Sequence, residues 1–197
     1  MATEVNHDRR RRLIVSKAVD LFAKMGYQKL SFIDISKATG IARTALYRYF
    51  RTKREIFDEA IHGVTSGLRR ELEATCRQPV KVAKRLELSC GIVIDAFYGR
   101  KEFFSAIYEF VFAMVRSGED MTQRIEQFTG GLKVVLRRLV AEGVDSGEIR
   151  DSVNADDAAE ALYALMESVA LRVMLGVERD AHRAKRRVAS MIGALLA

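Results

Sequence analysis

Residues 31–54 read SFIDISKATGIARTALYRYFRTKR, and they contain the strongest structural signal in the chain. Ser31 is followed three residues later by an acid, which is typical of a capped helix start, so we expect a short helix over about residues 32–39. Gly40 ends that helix, and a further short helix covers about residues 43–50. Two short helices around a glycine turn are typical of a helix-turn-helix.

The segments on either side of this stretch are also helical in pattern. Apolar residues recur at helical spacing over about residues 8–25, and Gly26 follows as a residue able to adopt a positive φ angle. Thr52 and Glu55 form a capping box that predicts a fourth helix reaching about Cys76. The expected core of this region is Ile33, Ile35, Ala38, Ile41, Leu46 and Phe50, packed on Leu21 and Phe22.

The remainder of the chain reads as five more helices. Pro79 is the one proline in 197 residues, and it suits the first position of a fifth helix ending near Tyr98. The later helices are expected over about residues 101–116, 119–142, 155–175 and 178–196. The predicted fold class is therefore all-α, with about nine helices. We expect an N-terminal three-helix helix-turn-helix domain over residues 1–52 and a C-terminal helical domain for ligand binding and dimerisation over residues 53–197.

Positive charge is concentrated at one end of the chain. Residues 1–60 contain 13 Lys and Arg against 7 Asp and Glu, a balance of +6, whereas residues 61–197 contain 20 against 19, a balance of +1. A basic end on a nearly neutral body is typical of a nucleic-acid-binding head, although a solvated basic surface gives the same composition.

Composition also argues against several other classes of protein. No apolar run approaches the roughly 20 residues of a membrane-spanning helix, and the charged segment from Glu4 to Arg12 does not resemble a secretory signal. Cys76 and Cys90 are too few for a disulfide framework and have no metal-ligand spacing. We therefore expect a cytoplasmic protein with no membrane partner.

An enzymatic function is not indicated either. The three histidines, at positions 7, 62 and 182, have no neighbouring Cys or Asp at catalytic or metal-binding spacing, and there is no phosphate-binding glycine loop. The paired acids Asp156-Asp157 and Glu119-Asp120 lie at helix starts, where they compensate the helix dipole. We predict no catalytic residue, no metal site and no cofactor.

Several positions of the N-terminal region occur in a distinctive order, namely Ala18, Leu21-Phe22, Gly26-Tyr27, Ile33, Ile35, Gly40-Ile41, Leu46-Tyr47, Tyr49-Phe50 and Lys53. This order resembles the tetracycline-repressor family of transcriptional regulators. A weaker likeness is Glu142-Gly143-Val144 followed by Gly147-Glu148-Ile149. The resemblance implies a homodimeric repressor that binds a palindromic operator in double-stranded DNA and is released by a small effector.

The resemblance also implies which residues contact DNA, namely Ser31, Arg43, Thr44, Tyr47, Tyr49 and Lys53. Arg43 is placed to hydrogen-bond a guanine, with Thr44 beside it on a thymine methyl or a phosphate. The two tyrosines and Lys53 are placed to hold phosphates, and Ser31 either caps its helix or also helps to bind a phosphate.

The chain departs from the family pattern at three positions around the third helix, one of which is Thr44, where the family usually has glycine. Ala42 stands where the family usually has serine, and Ala45 where it has threonine or serine, so a helix cap and a phosphate-binding hydroxyl are lost. A helical ligand-binding or adaptor protein whose head no longer binds DNA therefore remains an alternative.

Two further surfaces are predicted in the C-terminal region. Aromatic residues over helices five and six are either ordinary core or the lining of an apolar effector pocket, for which we select Phe97, Phe104, Tyr108 and Phe112. The resemblance places the dimer interface on the last two helices. Their apolar stripes give the expected contacts as Ala161, Leu162, Leu165, Val169, Val173, Val188, Ile192 and Leu195.

Overall fold

The computed structural model describes residues 2–196, with side chains from residue 6 onward, and this part of the chain forms nine helices. They are α1 (Ala2–Lys29), α2 (Phe32–Thr39), α3 (Arg43–Leu46), α4 (Lys53–Cys76), α5 (Val82–Gly99), α6 (Lys101–Arg116), α7 (Thr122–Asp145), α8 (Ala155–Met174) and α9 (Ala181–Gly193). The all-α class and the helix count agree with the prediction.

Helix α2 has the bounds expected from its caps. Ser31 accepts a hydrogen bond from the Asp34 N–H, and Asp34 accepts one in return from the Ser31 N–H. Gly40 follows in the left-handed conformation at φ 68°, which a residue with a Cβ adopts only with strain. The capped start and the glycine stop therefore define this helix from sequence alone.

Five other helices differ from their predicted bounds, and two of them, α7 and α9, each begin three residues later than expected. Helix α1 begins at Ala2 and continues past a break at Gly26, where φ is 75°. Helix α3 stops at Leu46, because the next residues form tighter turns such as the Tyr49 N–H to Leu46 carbonyl bond. Pro79 does not open α5, which begins at Val82; it lies in the turn that precedes the helix.

One compact unit contains residues 1–65 and 102–121, which include α1 to α3, the first half of α4, and α6. Its centre is aromatic: Phe57 lies 4.5 Å from Phe22 and 5.2 Å from Phe110, measured between ring centroids. Ile35, Leu46 and Phe50 are buried as predicted, but Ile33 is 47% exposed, because it lies on the outer face of α2.

The other compact unit contains residues 66–101 and 122–197. Helices α5, α7, α8 and α9 bury a common apolar core that includes Leu86, Leu136, Met166 and Val188. The two units are divided differently from the predicted domains, whose functional boundary after Thr52 stays a prediction. No helix within residues 2–196 is both long and apolar enough to span a membrane.

The dimer residues selected from sequence differ in how far they are buried within the single chain. Five of the eight are between 1% and 3% exposed in the single chain, namely Leu162, Val169, Val173, Val188 and Ile192. Only Ala161 is exposed, and Leu165 and Leu195 are half-buried. The five buried side chains stabilise their own unit, so any face for a second chain has to come from the exposed residues of α8 and α9.

Candidate nucleic-acid interface

The first two residues of α3 present their side chains to solvent. Arg43 and Thr44 are both exposed, and Arg43 forms no ion pair or hydrogen bond through its side chain within residues 6–196. An unpaired guanidinium has five N–H donors available. Arg43 therefore has the free fork of donors that the O6 and N7 acceptors of guanine require.

The start of α3 has no side-chain cap. Ala42 occupies the N-cap position and makes no side-chain hydrogen bond, and the helix has only four residues. Its geometry depends instead on the preceding turn, where the Ser36 hydroxyl donates to the Ile41 carbonyl at 2.8 Å. The Ile41 N–H donates to the Thr39 hydroxyl at 3.3 Å. Neither side chain was expected to have this role, although a Ser and a Thr beside a turn glycine are a usable signal.

The two tyrosines expected to contact phosphates are each stacked on another ring. Tyr47 is 46% exposed, and its ring lies parallel to that of Phe32 with centroids 4.8 Å apart. Tyr49 is half-buried and stacks on His7 at 4.7 Å. Neither Phe32 nor His7 was identified from sequence. Stacking restricts the direction of each phenol, and Tyr47 remains accessible to a partner.

Lys53 occupies a different environment from the one expected for a phosphate ligand. Its ammonium donates to the Tyr27 carbonyl at 2.7 Å and to the Gln28 carbonyl at 3.2 Å. It also lies 4.5 Å from the centroid of the Tyr27 ring. Burial lowers the pKa of Lys53, while the neighbouring carboxylate of Glu109 acts in the opposite direction. Two of its three donors are thus occupied by the chain itself.

Ser31 is fully engaged as a helix cap. Its hydroxyl donates to Asp34 at 2.6 Å and accepts from the Asp34 N–H at 3.3 Å. The hydrogen bonds that the Asp34 carboxylate accepts from the Ser31 hydroxyl and N–H hold its pKa below the usual value, so the carboxylate is ionised at neutral pH. A negative charge already compensates the start of α2, which favours the capping role of Ser31 over phosphate binding.

Arg11 has a structural position that the sequence did not indicate. It belongs to the basic run at positions 9–12, but its guanidinium pairs with Glu59 and donates to the Tyr49 carbonyl at 2.7 Å. It also lies over the Phe50 ring at 4.2 Å. Arg11 therefore connects α1, α4 and the end of the helix-turn-helix. The other basic residues around the motif are exposed, namely Arg9, Arg10, Arg12, Lys37, Arg48 and Arg51.

The residues selected for an effector pocket have unequal exposure. On α6, Phe104 and Tyr108 are half-buried, whereas Phe112 is 57% exposed. Phe97, on α5, packs against the core of its own unit. A depression in that unit has a different, charged lining, formed by Glu73, Cys76, Arg77, Arg138 and Glu142. The four aromatic residues do not contribute to it.

Family models match both parts of the chain. The model described as "Bacterial regulatory proteins, tetR family" matches residues 14–60, which include the helix-turn-helix. The model described as "BetI-type transcriptional repressor, C-terminal" matches residues 82–197, more than half of the chain.

Individual relatives are similar over most of their length. The fatty acid metabolism regulator protein of Bacillus subtilis is 24% identical over 154 residues, which is 78% of each chain. The regulator PksA of the same organism is 24% identical over 89% of this chain and 83% of its own. Two solved structures share the fold. A TetR transcription regulator of Haloarcula marismortui has a TM-score of 0.84 at 17% identity, covering 96% of this chain and 100% of its own. FadR of Bacillus subtilis, in complex with stearoyl-CoA, has a TM-score of 0.76 at 20% identity, covering 94% and 99%.

Proposed function

The chain belongs to the tetR family of bacterial regulatory proteins and is a DNA-binding transcriptional repressor, and we propose that it acts as a homodimer on a palindromic operator. A two-fold dimer presents two identical α3 helices, so its site has to contain two inverted half-sites. Binding at a promoter excludes the transcription machinery. Because its target is chromosomal DNA, the repressor works in the cytoplasm.

The observation that carries this proposal is the unpaired Arg43 at the exposed start of α3. A free guanidinium on a recognition helix favours base reading, and Thr44 beside it adds a hydroxyl and a methyl group. Tyr47 and Tyr49 contribute contacts to phosphates, and Lys53 has one donor left for a phosphate beyond the two that bind the carbonyls of Tyr27 and Gln28. Such contacts fix the position of α3 without reading sequence. We therefore assign operator recognition to residues 1–52, and dimerisation and effector binding to residues 53–197.

The exposed faces of α8 and α9 support a two-fold interface. Leu171 on α8 is 45% exposed and Leu175, the residue that caps its end, is 67% exposed, and the small residues Ala161, Ala164 and Ser168 continue the same face. Met191 is 41% exposed on α9. Small side chains let two helices approach closely, and the apolar ones gain free energy by losing contact with water.

We assign the effector to the class of molecules that carry a long acyl chain. Two similarities support this assignment: one relative is a fatty acid metabolism regulator, and one neighbour in fold was solved with stearoyl-CoA. In this chain Phe104, Tyr108 and Phe112 lie four residues apart on one face of α6, which gives the apolar contact that an acyl chain needs. The relatives are regulators, and no catalytic step is part of the proposal.

Operator binding in the presence of acyl-CoA tests this function. The operator is identified by selection from random DNA, and its affinity is then measured with stearoyl-CoA or free coenzyme A added. An effector releases the repressor only if it binds better to the form that leaves DNA. We expect stearoyl-CoA to weaken operator binding and coenzyme A alone to leave it unchanged. Equal affinity in both solutions would contradict the effector class, and failure to select any DNA sequence would contradict the repressor function itself.

A further inference from the structure

The chain turns sharply at Gly26–Gln28, a segment that we call the Gly26 corner. Gly26 has a φ of 75° and a ψ of 170°, which interrupts the regular geometry of α1 shortly before α2 begins. The corner lies three residues before Ser31, the cap of α2. The direction in which α2 leaves α1 therefore depends on how this corner is held.

A carboxylate from α6 binds the corner through its backbone. Glu109 accepts hydrogen bonds from the Tyr27 N–H at 3.2 Å and from the Gln28 N–H at 3.3 Å. A Cβ at position 26 would lie 2.5 Å from Glu109 Oε2. A residue with a Cβ would therefore displace the carboxylate from this position, and it would also be strained at a φ of 75°. The two residues thus fit one another although they are 83 positions apart.

The same corner is bound from a second helix by the opposite charge. The Lys53 ammonium, at the start of α4, donates to the carbonyls of Tyr27 and Gln28, whose N–H groups are the ones that Glu109 binds. The Tyr27 ring packs between these helices, 4.9 Å from Phe57 and 4.6 Å from Phe110. Three consecutive peptide groups of the corner are therefore bound by these two side chains, and the group between Tyr27 and Gln28 is bound by both, its N–H by the Glu109 carboxylate and its carbonyl by the Lys53 ammonium.

From this geometry we propose that Glu109 is a positioning residue for DNA recognition, by which α6 fixes the corner from which α2 and α3 extend. Glu109 itself touches no DNA in this account. It sets the orientation of the helix-turn-helix through the two N–H groups of the corner. The inference rests on DNA binding by this chain, and it adds a residue of α6 to the groups that determine operator affinity.

The direction in which DNA affinity changes when Glu109 is removed distinguishes this positioning role from a simple charge effect. DNA repels a carboxylate, so removing an acid from a DNA-binding protein strengthens binding if electrostatics alone acts. Removing Glu109 also releases the corner, which lowers the affinity. Glu102 is a suitable control, because it is an exposed acid on the same helix and has no hydrogen bond or ion pair within the described residues.

The experiment compares Glu109→Ala, Glu109→Gln and Glu102→Ala in the full chain. We expect Glu109→Ala to weaken operator binding by roughly three- to thirtyfold, with the wild-type melting temperature largely retained because the side chain is exposed. Glu109→Gln, which keeps one acceptor oxygen, should fall between this variant and the wild type. Glu102→Ala should bind as tightly as the wild type or more tightly.

Amide hydrogen exchange of the free protein, followed by NMR, provides a readout that does not depend on DNA. The amides of Tyr27 and Gln28 should exchange faster in Glu109→Ala than in the wild type, and Glu102→Ala should leave them unchanged. Unchanged exchange, or operator affinity equal to or above that of the wild type, would overturn the role of Glu109. If the wild type selects no operator, the proposed function fails, and the exchange rates still decide whether Glu109 holds the corner.

Discussion

Arg43 and Lys53 carry the same charge in different surroundings, and this difference leads to opposite expectations for specificity. Arg43 is exposed and unpaired in the described chain, so its donors are free for a base edge. We predict that Arg43→Ala costs about 1–3 kcal/mol per half-site on the operator and little on scrambled DNA. Fluorescence anisotropy titrations on both DNAs measure this. An equal loss on the two DNAs would show that Arg43 binds phosphate instead.

Lys53→Ala should weaken binding to operator and scrambled DNA by similar factors, because neither the corner nor a phosphate carries sequence information. If the ammonium also contacts a phosphate, the slope of log K against log salt falls by about one per contact, or about two for the dimer. The titrations are repeated at several salt concentrations. An unchanged slope would assign Lys53 only to the carbonyls of Tyr27 and Gln28, and full affinity for scrambled DNA would contradict both roles.

The exposed residues proposed to contact DNA could be predicted from the sequence, whereas the contacts that hold the helix-turn-helix in place could not. Arg43 and Tyr47 follow from the local helix-turn-helix pattern. The partners of Lys53 lie 25 and 26 residues away, and Glu109 lies more than 80 residues from the corner. Every residue type has the backbone groups that take part in these hydrogen bonds, so the sequence does not reveal which residue is the partner of Lys53 or Glu109.

At the scale of helices, local capping chemistry determined what could be predicted. Helix α2 was delimited correctly because Ser31 and Gly40 satisfy its ends without help from other elements. The start of helix α5 was predicted wrongly, because Pro79 is compatible both with the first turn of a helix and with a turn outside it. The start of the helix at Val82 is fixed instead by a hydrogen bond from the Val82 N–H to the Glu148 carboxylate at 2.9 Å. Glu148 lies 66 residues further along the chain.

The glycine turn of the helix-turn-helix gives a prediction at this scale. Gly40 has a φ of 68° and no atom within 4 Å of the position of an added Cβ, so a substitution there acts only through backbone strain. Gly40→Ala should lower the free energy of unfolding by about 1–2 kcal/mol, and Gly40→Asn by less, because Asn tolerates this region.

Urea denaturation followed by circular dichroism measures both variants. Gly63→Ala is the matched control, since Gly63 lies within α4 with equally open surroundings and no positive φ. It should stabilise the protein by roughly 0.5–1 kcal/mol. A loss of stability in Gly63→Ala as large as that in Gly40→Ala would show that the turn conformation is not responsible.

At the scale of the whole molecule, the apolar stripes of α8 and α9 could be recognised, but a stripe at helical spacing indicates burial without indicating what covers it. Here Leu162 and Val188 are covered by their own unit, whereas Leu171 on α8 and Leu175, which follows it, stay exposed. The helix count and the all-α class were predictable, because they depend only on periodicity and composition.

The proposed dimer gives the next prediction. Light scattering of the wild type should give about 44 kDa at micromolar concentration, twice the chain mass of 22.2 kDa. The double variant Leu171→Asp, Leu175→Asp should give the monomer mass, since a buried unpaired carboxylate is costly in an interface. Val80→Asp, a change at an exposed apolar residue outside α8 and α9, should remain dimeric. A wild-type mass near 22 kDa would contradict the dimer.

Selection of binding sites from random double-stranded DNA, followed by footprinting of the enriched sequence, tests the central claim most directly. The repressor should enrich one palindromic sequence. Its half-site centres should lie about 34–36 Å apart or at a related multiple, as two recognition helices in successive major grooves require. Arg43→Ala should lose this enrichment while retaining some affinity for DNA of any sequence. Enrichment of no sequence, or protection of a single asymmetric half-site, would contradict a dimeric, sequence-specific repressor.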